Sequence, residues 1–344
     1  MNTLFASWSD NFMYAATAVF ALAFLAHAAE WAFTRERRTA QVAAAKVRAN
    51  EAKVAVGVGA GDAGVAHSTV EQPADADVVD PEAKAAWDQQ YRVDQFSRIG
   101  IGLTILATTL LGLGVISRGL AAGRVPWSNM YEFATTGTFV IALAYLVLMP
   151  RFKFAWLGLP LTGFALVVMG VSLVLLYTPV AGLIPALQSY WLVIHVSSAV
   201  IATGVFTIGA LASVLQLVKA RQERRVIAGK ASAGQGYLSR LPSAEAIDRV
   251  AYRLHAFAFP IWTFALIAGA IWAAEAWGRY WGWDPKETWM FITWVVFAAY
   301  LHARSTAGWR NKVSWISLAG YACLLFNLIG VNILFSGLHS YAGI

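Results

Sequence analysis

Histidine is the residue type in this sequence best suited to chemistry. Five of the six, His27, His195, His255, His302 and His339, lie within or at the ends of long apolar stretches, where an ionisable side chain is costly. His67 sits in a polar tract and has no assigned role. An imidazole at such a depth has two readings. It can hydrogen-bond a neighbouring helix as a neutral ring or snorkel at the interface, or it can offer a ring nitrogen to a metal. His195 lies one turn inside its stretch and His339 just beyond the same-side end of another, so two imidazoles on separate helices could supply the two axial nitrogens of a haem iron. Spacing alone leaves both readings open, because it does not say which helix faces which. His255, beside Arg253, fits the interfacial hydrogen-bonding reading best.

The second chemical signal is aromatic. Five of the 15 tryptophans fall within the 18 residues Trp272 to Trp289, in the run Trp277-Gly278-Arg279-Tyr280-Trp281-Gly282-Trp283-Asp284. Tryptophan collects at headgroup depth in any membrane protein. A belt of that kind does not need glycines between its rings, whereas Gly278 and Gly282 would let backbone approach something flat. Indoles around small residues can stack a large planar ligand such as a porphyrin. Asp284 reads first as the cap of a helix, with Pro285 at the first helical position and Glu287 three residues on; a ligand role comes second. Arg279 and Lys286 are placed to meet the carboxylates of an anionic ligand.

Long apolar elements must position these groups. The 344 residues are 58% hydrophobic and 13% charged, with a mean hydropathy of +0.57, against about 25% charge in soluble domains. Stretches of about 20 apolar residues, the length that crosses the hydrocarbon, occur near 12–33, 99–117, 129–149, 156–177, 191–217, 252–274, 285–303 and 313–336. The expected fold is therefore an all-α polytopic membrane protein with about eight transmembrane helices. The segments 34–98, 150–155, 218–253 and 304–312 carry 22 of the 26 Lys and Arg, leaving Arg118, Arg124, Arg279 and Lys286 on the other side. The positive-inside rule then predicts extracytoplasmic termini, with the tryptophan loop 272–289 on the same face. The net charge of +7 is accounted for by orientation, and no nucleic-acid partner is expected. The run from Lys219 to Lys230 could also touch anionic membrane lipid.

Three regions are expected. Residues 1–33 form a first transmembrane helix, read as a retained anchor because Asp10 stands where a basic n-region would precede a cleaved signal. Residues 34–98 form a cytoplasmic linker: an Ala-rich charged extension of helix one, a flexible tract near 57–82, and a short interfacial helix with Trp87, Tyr91 and Gln95. Residues 99–344 form a seven-helix core. The single cysteine, Cys323, excludes an intrachain disulfide and reads as an apolar packing residue.

The run Trp277 to Asp284, followed by Pro-Lys-Glu-Thr-Trp289, resembles the tryptophan-rich "WWD" signature of haem-handling proteins in cytochrome c assembly. Three further segments resemble the CcsA type of that family, also called ResC or CcsB: Gly330-Val-Asn332 through Gly337-Leu-His339-Ser-Tyr341, Tyr300-Leu-His302-Ala-Arg304, and Pro126-Trp-Ser-Asn129-Met-Tyr131-Glu132. The match covers most of 95–344, and length and span count fit this type better than the shorter CcmC or the longer CcmF. The resemblance implies a protein of the bacterial cytoplasmic membrane that moves haem to the outer face. With a ResB-like (Ccs1-like) subunit it would attach haem to the Cys-x-x-Cys-His motif of apocytochrome c, as one component of a holocytochrome c synthase.

It further implies that His195 and His339 are the axial ligands of an outer haem, that His302 is a ligand of an inner one, and that the partner supplies the second inner ligand. A thiol-reducing thioredoxin-like protein is an implied partner. His27, His255 and the insertion at 34–98 depart from the family pattern, and either histidine could take the second inner position; Gly282 stands where many relatives carry serine. The chain has no Cys-x-x-Cys-His of its own, so its haem b is expected to be noncovalent and in transit. A b-type bis-histidine electron-transfer cytochrome is the alternative, though it would need no tryptophan loop. A solute transporter is disfavoured by the lack of half-repeats and broken midplane helices.

Overall fold

The computed structural model describes residues 2–58, 81–182, 188–230, 238, 241–306, 309 and 312–339, with 34–58 and 81–90 described for their backbone alone. His67, Ser340, Tyr341 and nearly all of the 57–82 tract lie outside the described residues. Helices dominate: α1 Thr3–Val58, α2 Pro81–Ala122, α3 Met130–Phe152, α4 Gly158–Val174, α5 Tyr190–Ile227, α6 Ala244–Trp277, α7 Pro285–Ser305 and α8 Val313–Leu325. α8 runs on through a π turn, Phe326–Gly330, into a last short helix α9, Val331–Leu334. No strand occurs among the described residues.

Seven of these elements are long and apolar enough to cross a membrane, so this is a multi-pass membrane protein. α7 has the length, 21 residues, but not the composition. Its Lys286, Glu287, His302 and Arg304, with Trp and Tyr in between, dilute the apolar run.

Caps mark the helix ends. Asn129, Ser189 and Ser243 accept backbone N–H groups at the starts of α3, α5 and α6. Lys153 and Gly278 close α3 and α6 in the left-handed conformation. The segment with Tyr91 and Gln95, expected as a short interfacial helix before span two, is helical and continuous with the span in α2. No proline interrupts it after Pro81, and a propagating helix continues wherever nothing stops it.

Two packing groups form. α1 lies along α2 and α4, burying Met13, Phe20, Leu111 and Met169. α5 pairs with α6 and α8, with α7 between α6 and α8, around Phe206, Leu254, Trp262 and Phe297. α3 joins the groups by packing on α2, α4 and α5. A third cluster, Leu192, Val196 and Trp272 with Trp127 and Trp277, floors the end of the bundle that carries the tryptophan loop.

Candidate functional site

A cleft opens at that end, with about 1290 Å³ of atom-free space, part of it continuous with the exterior. α5 lends Leu192, His195 and Val196; α6 lends Trp262, Trp272 and Trp277. The loop adds Tyr280 and Trp281, the start of α7 adds Lys286 and Glu287, and the π turn with its flanks adds Asn327, Leu328 and Asn332. His339 closes the rim. The lining is largely apolar and aromatic, as in pockets that enclose a flat organic ligand.

His195 and His339, far apart in the chain, therefore line one cavity. Each is oriented through Nδ1. His195 donates to the Ala265 carbonyl at 2.7 Å, across the α5–α6 interface. Gly269 makes that approach possible, because a Cβ there would lie 2.7 Å from the ring. His339 donates to Asp284 Oδ1 at 2.7 Å, while Asp284 Oδ2 accepts the Leu338 N–H at 2.8 Å. A proton on Nδ1 leaves the lone pair on Nε2, a tautomer in which histidine binds metals. Trp272 forms a wall shared by both rings, stacked on His195 at 6.1 Å and edge-on to His339 at 5.5 Å. Trp277 adds an edge contact to His339 at 4.7 Å.

Asp284 carries two tasks. It caps α7 with the capping box expected from Pro285 and Glu287, and it ties down the His339 segment. Burial pushes its carboxyl up, but hydrogen bonds from His339, Leu338 and Lys286 outweigh this and hold it below the usual carboxylate range. Glu287 accepts the Gly282 and Asp284 N–H groups at 2.8 and 3.1 Å, and pairs with Arg279 at 3.3 Å.

The two loop glycines also have local surroundings that the structure shows. Gly278 takes φ +70° to end α6, and the flexible Arg279 guanidinium lies over Gly282, 1.7 Å from where a Cβ would stand. Trp283 points away from the cavity, 66% exposed, in a left-handed conformation beside Trp281 and Phe291. Arg279 is committed to Glu287 and does not line the cleft, whereas Lys286 does.

The other histidines lie elsewhere. His27 is buried against Gly100 and Gly158, near Glu30 at 3.3 Å and Thr104 at 3.5 Å. His255 is fully buried among Phe206, Phe297 and Tyr300, bonded to Ser317 Oγ at 2.8 Å. Neither lines the cleft. His302 stands exposed in the last turn of α7.

Several cleft residues escaped the sequence reading. Trp127 lies in the loop before α3, held by Glu132, which is fully buried and paired with Arg118 at 3.0 Å and Arg124 at 2.8 Å. An acidic residue inside an apolar stretch, flanked by two of the few cations on that side, was the available signal. Asn327 had none, because its place depends on the π turn.

Comparison with known proteins supplies the context. The family model "Cytochrome C assembly protein" matches residues 127–339, which takes in Trp127, both cleft histidines and the tryptophan loop. The cytochrome c biogenesis protein CcsA of Guillardia theta is 36% identical over 256 residues, covering 71% of this chain and 85% of that protein. CcsA of Prochlorococcus marinus is 34% identical, covering 68% and 81%. Among solved structures, the cytochrome c haem lyase CcmF aligns with a TM-score of 0.53 at 15% identity, over 72% of this chain and 43% of that longer one, a likeness of fold. With more than half its length matched by the family model and this level of identity, the chain belongs to the cytochrome c assembly protein family and is a CcsA-type member of it.

Proposed function

We propose that this chain holds haem noncovalently in the cleft, with His195 and His339 as axial ligands, and presents it for attachment to apocytochrome c. The observation that carries the reading is that two histidines, one on α5 and one in the turn beyond α9, each oriented through Nδ1, line one aromatic cleft of a cytochrome c assembly protein. The distribution of Lys and Arg supports eight spans with both termini and the cleft on the outer face of a bacterial cytoplasmic membrane. A ResB/Ccs1-like subunit completes the lyase, and a thioredoxin-like protein keeps the acceptor thiols reduced. Exposed His302, at the opposite end of α7 from Asp284, is the histidine offered to an inner haem, whose second ligand comes from the partner. His27 and His255 are packing residues on this reading.

Haem is the cargo of this reaction. In each attachment a cysteine S–H adds across a vinyl group: the C–S bond forms at one vinyl carbon, the hydrogen ends on the other, and no net oxidation occurs. What the chain contributes is position. Trp272, Trp277 and Trp281 line the cleft and would flank a flat ring, whose height and tilt the two imidazoles would set, so that a bound acceptor meets the vinyl edge in a fixed geometry. Glu287 is neutralised by Arg279 and two backbone N–H groups, so the loop keeps its shape without offering bare charge to the porphyrin.

The test is haem staining of a Cys-x-x-Cys-His reporter in a host stripped of its own assembly pathway, supplied with this chain and a ResB-like subunit. Covalent haem should appear, and disappear with His339→Ala or with Trp281→Ala. A reporter that stays apo with the unaltered pair present at normal levels would overturn the proposal.

A further inference from the structure

The cleft has one polar corner, and its composition is unlike the rest of the lining. Lys286 lines it and makes no ion pair among the described residues; its ammonium donates only to the Asn327 backbone carbonyl, at 3.1 Å. The carboxylate acting on it most is Asp284, which stays beyond ion-pair distance and is already committed to His339. A half-buried lysine in an apolar cleft with no carboxylate in direct contact is costly. Beside it the Asn327 side chain is nine-tenths buried, and its Oδ1 has no hydrogen-bond partner. A half-turn of the carboxamide exchanges its oxygen and nitrogen, so the same group can direct N–H toward a ligand.

The π turn places that side chain. The Val331 N–H reaches back five residues to the Phe326 carbonyl, and Gly330 leaves room for the Phe326 ring, which a Cβ would meet at 2.6 Å. Single π turns of this kind recur at binding sites.

We propose that Lys286 and Asn327 form a carboxylate-receiving subsite that takes a propionate of the porphyrin and thereby fixes which edge carries the vinyl groups outward. This rests on the haem reading above. Arg279 has no part in the subsite, since Glu287 holds it outside the cleft. One charge-assisted donor pair facing a carboxylate corresponds to about a tenfold preference for an ionised ligand.

The purified full-length chain, stripped of haem, is titrated with haem and with haem dimethyl ester, whose carboxylates are masked. Low-spin bis-histidine absorption reports binding. The unaltered chain should prefer haem by about tenfold, equal to about 1.4 kcal/mol. Lys286→Met and Asn327→Ala should bring that ratio close to one while keeping the bis-histidine spectrum, and Lys286→Arg should retain most of the preference. If Lys286→Met fails to fold, Asn327→Ala decides alone. A ratio in either variant equal to that of the unaltered chain overturns the subsite and leaves the haem reading standing. Absence of any histidine-dependent spectrum with either porphyrin overturns the haem reading, and the subsite with it.

Discussion

The cleft end of the molecule and its opposite half both hold histidines, and in different states. His27 and His255 are sealed: protein atoms surround both rings, and glycines at 100, 158 and 209 exist where a Cβ would lie 2.6–2.7 Å from them. His195 and His339 are anchored through Nδ1 and line a cavity. One residue type serves as packing in the first region and as a candidate ligand in the second. Burial alone does not separate the two uses; a cavity beside the ring does.

The largest effect that would break this contrast is loss of ligation. His195→Ala and His339→Ala should each reduce reporter haem to background and remove the chain's own noncovalent haem, and added imidazole should restore haem binding in both. No recovery would argue against a purely axial role. By contrast, His255→Ala should lower the melting point by removing a packed ring and a partner of Ser317, worth about 2–4 kcal/mol, with haem per folded molecule unchanged. Haem loss from the folded His255→Ala protein would erase the distinction.

Asp284→Asn sharpens it. Asparagine caps a helix as well as aspartate does, so α7 should survive while the charge behind His339 is lost. Haem affinity should fall about 10–100-fold, the usual cost of removing a carboxylate that orients a metal-binding histidine. Equal affinity would mean that the 2.7 Å contact is only a cap.

Two glycines offer a matched pair. A Cβ at Gly269 would lie 2.7 Å from the His195 ring, and one at Gly209 would lie 2.6 Å from the His255 ring. Gly269→Ala should shift the haem spectrum and weaken binding. Gly209→Ala should cost about 1–3 kcal/mol of stability and leave the spectrum alone. If both behave alike in the spectrum, the two histidine environments are not different in kind. The smallest effect is expected from deletion of about 57–82: full reporter haem at normal protein level, with loss of signal showing that this tract does more than link.

Much of this was legible in the residues. Apolar runs of membrane length predicted the helices, since hydrogen bonds within a helix are all that a single segment can satisfy in lipid. Asp284-Pro285 with Glu287 predicted the start of α7, because a capping box depends on neighbours three residues apart. Less was legible where distant segments meet. That the Arg279 guanidinium lies over Gly282 and pairs with Glu287 could not be read from spacing. The helix expected before span two runs into that span as one α2, because nothing in the sequence between them breaks a helix.

The sequence by itself determined the solvent, the helices, their caps and the family, since each depends on composition or on residues close in the chain. Only the tertiary structure decided which histidines share a cavity and which are sealed, that Asp284 reaches His339, and that a π turn brings Asn327 to Lys286. Those facts depend on which faces of α5, α6, α7 and α8 turn toward one another. In a bundle whose helices are apolar nearly all round, the pattern of a single helix does not specify its facing, and close packing against the others does.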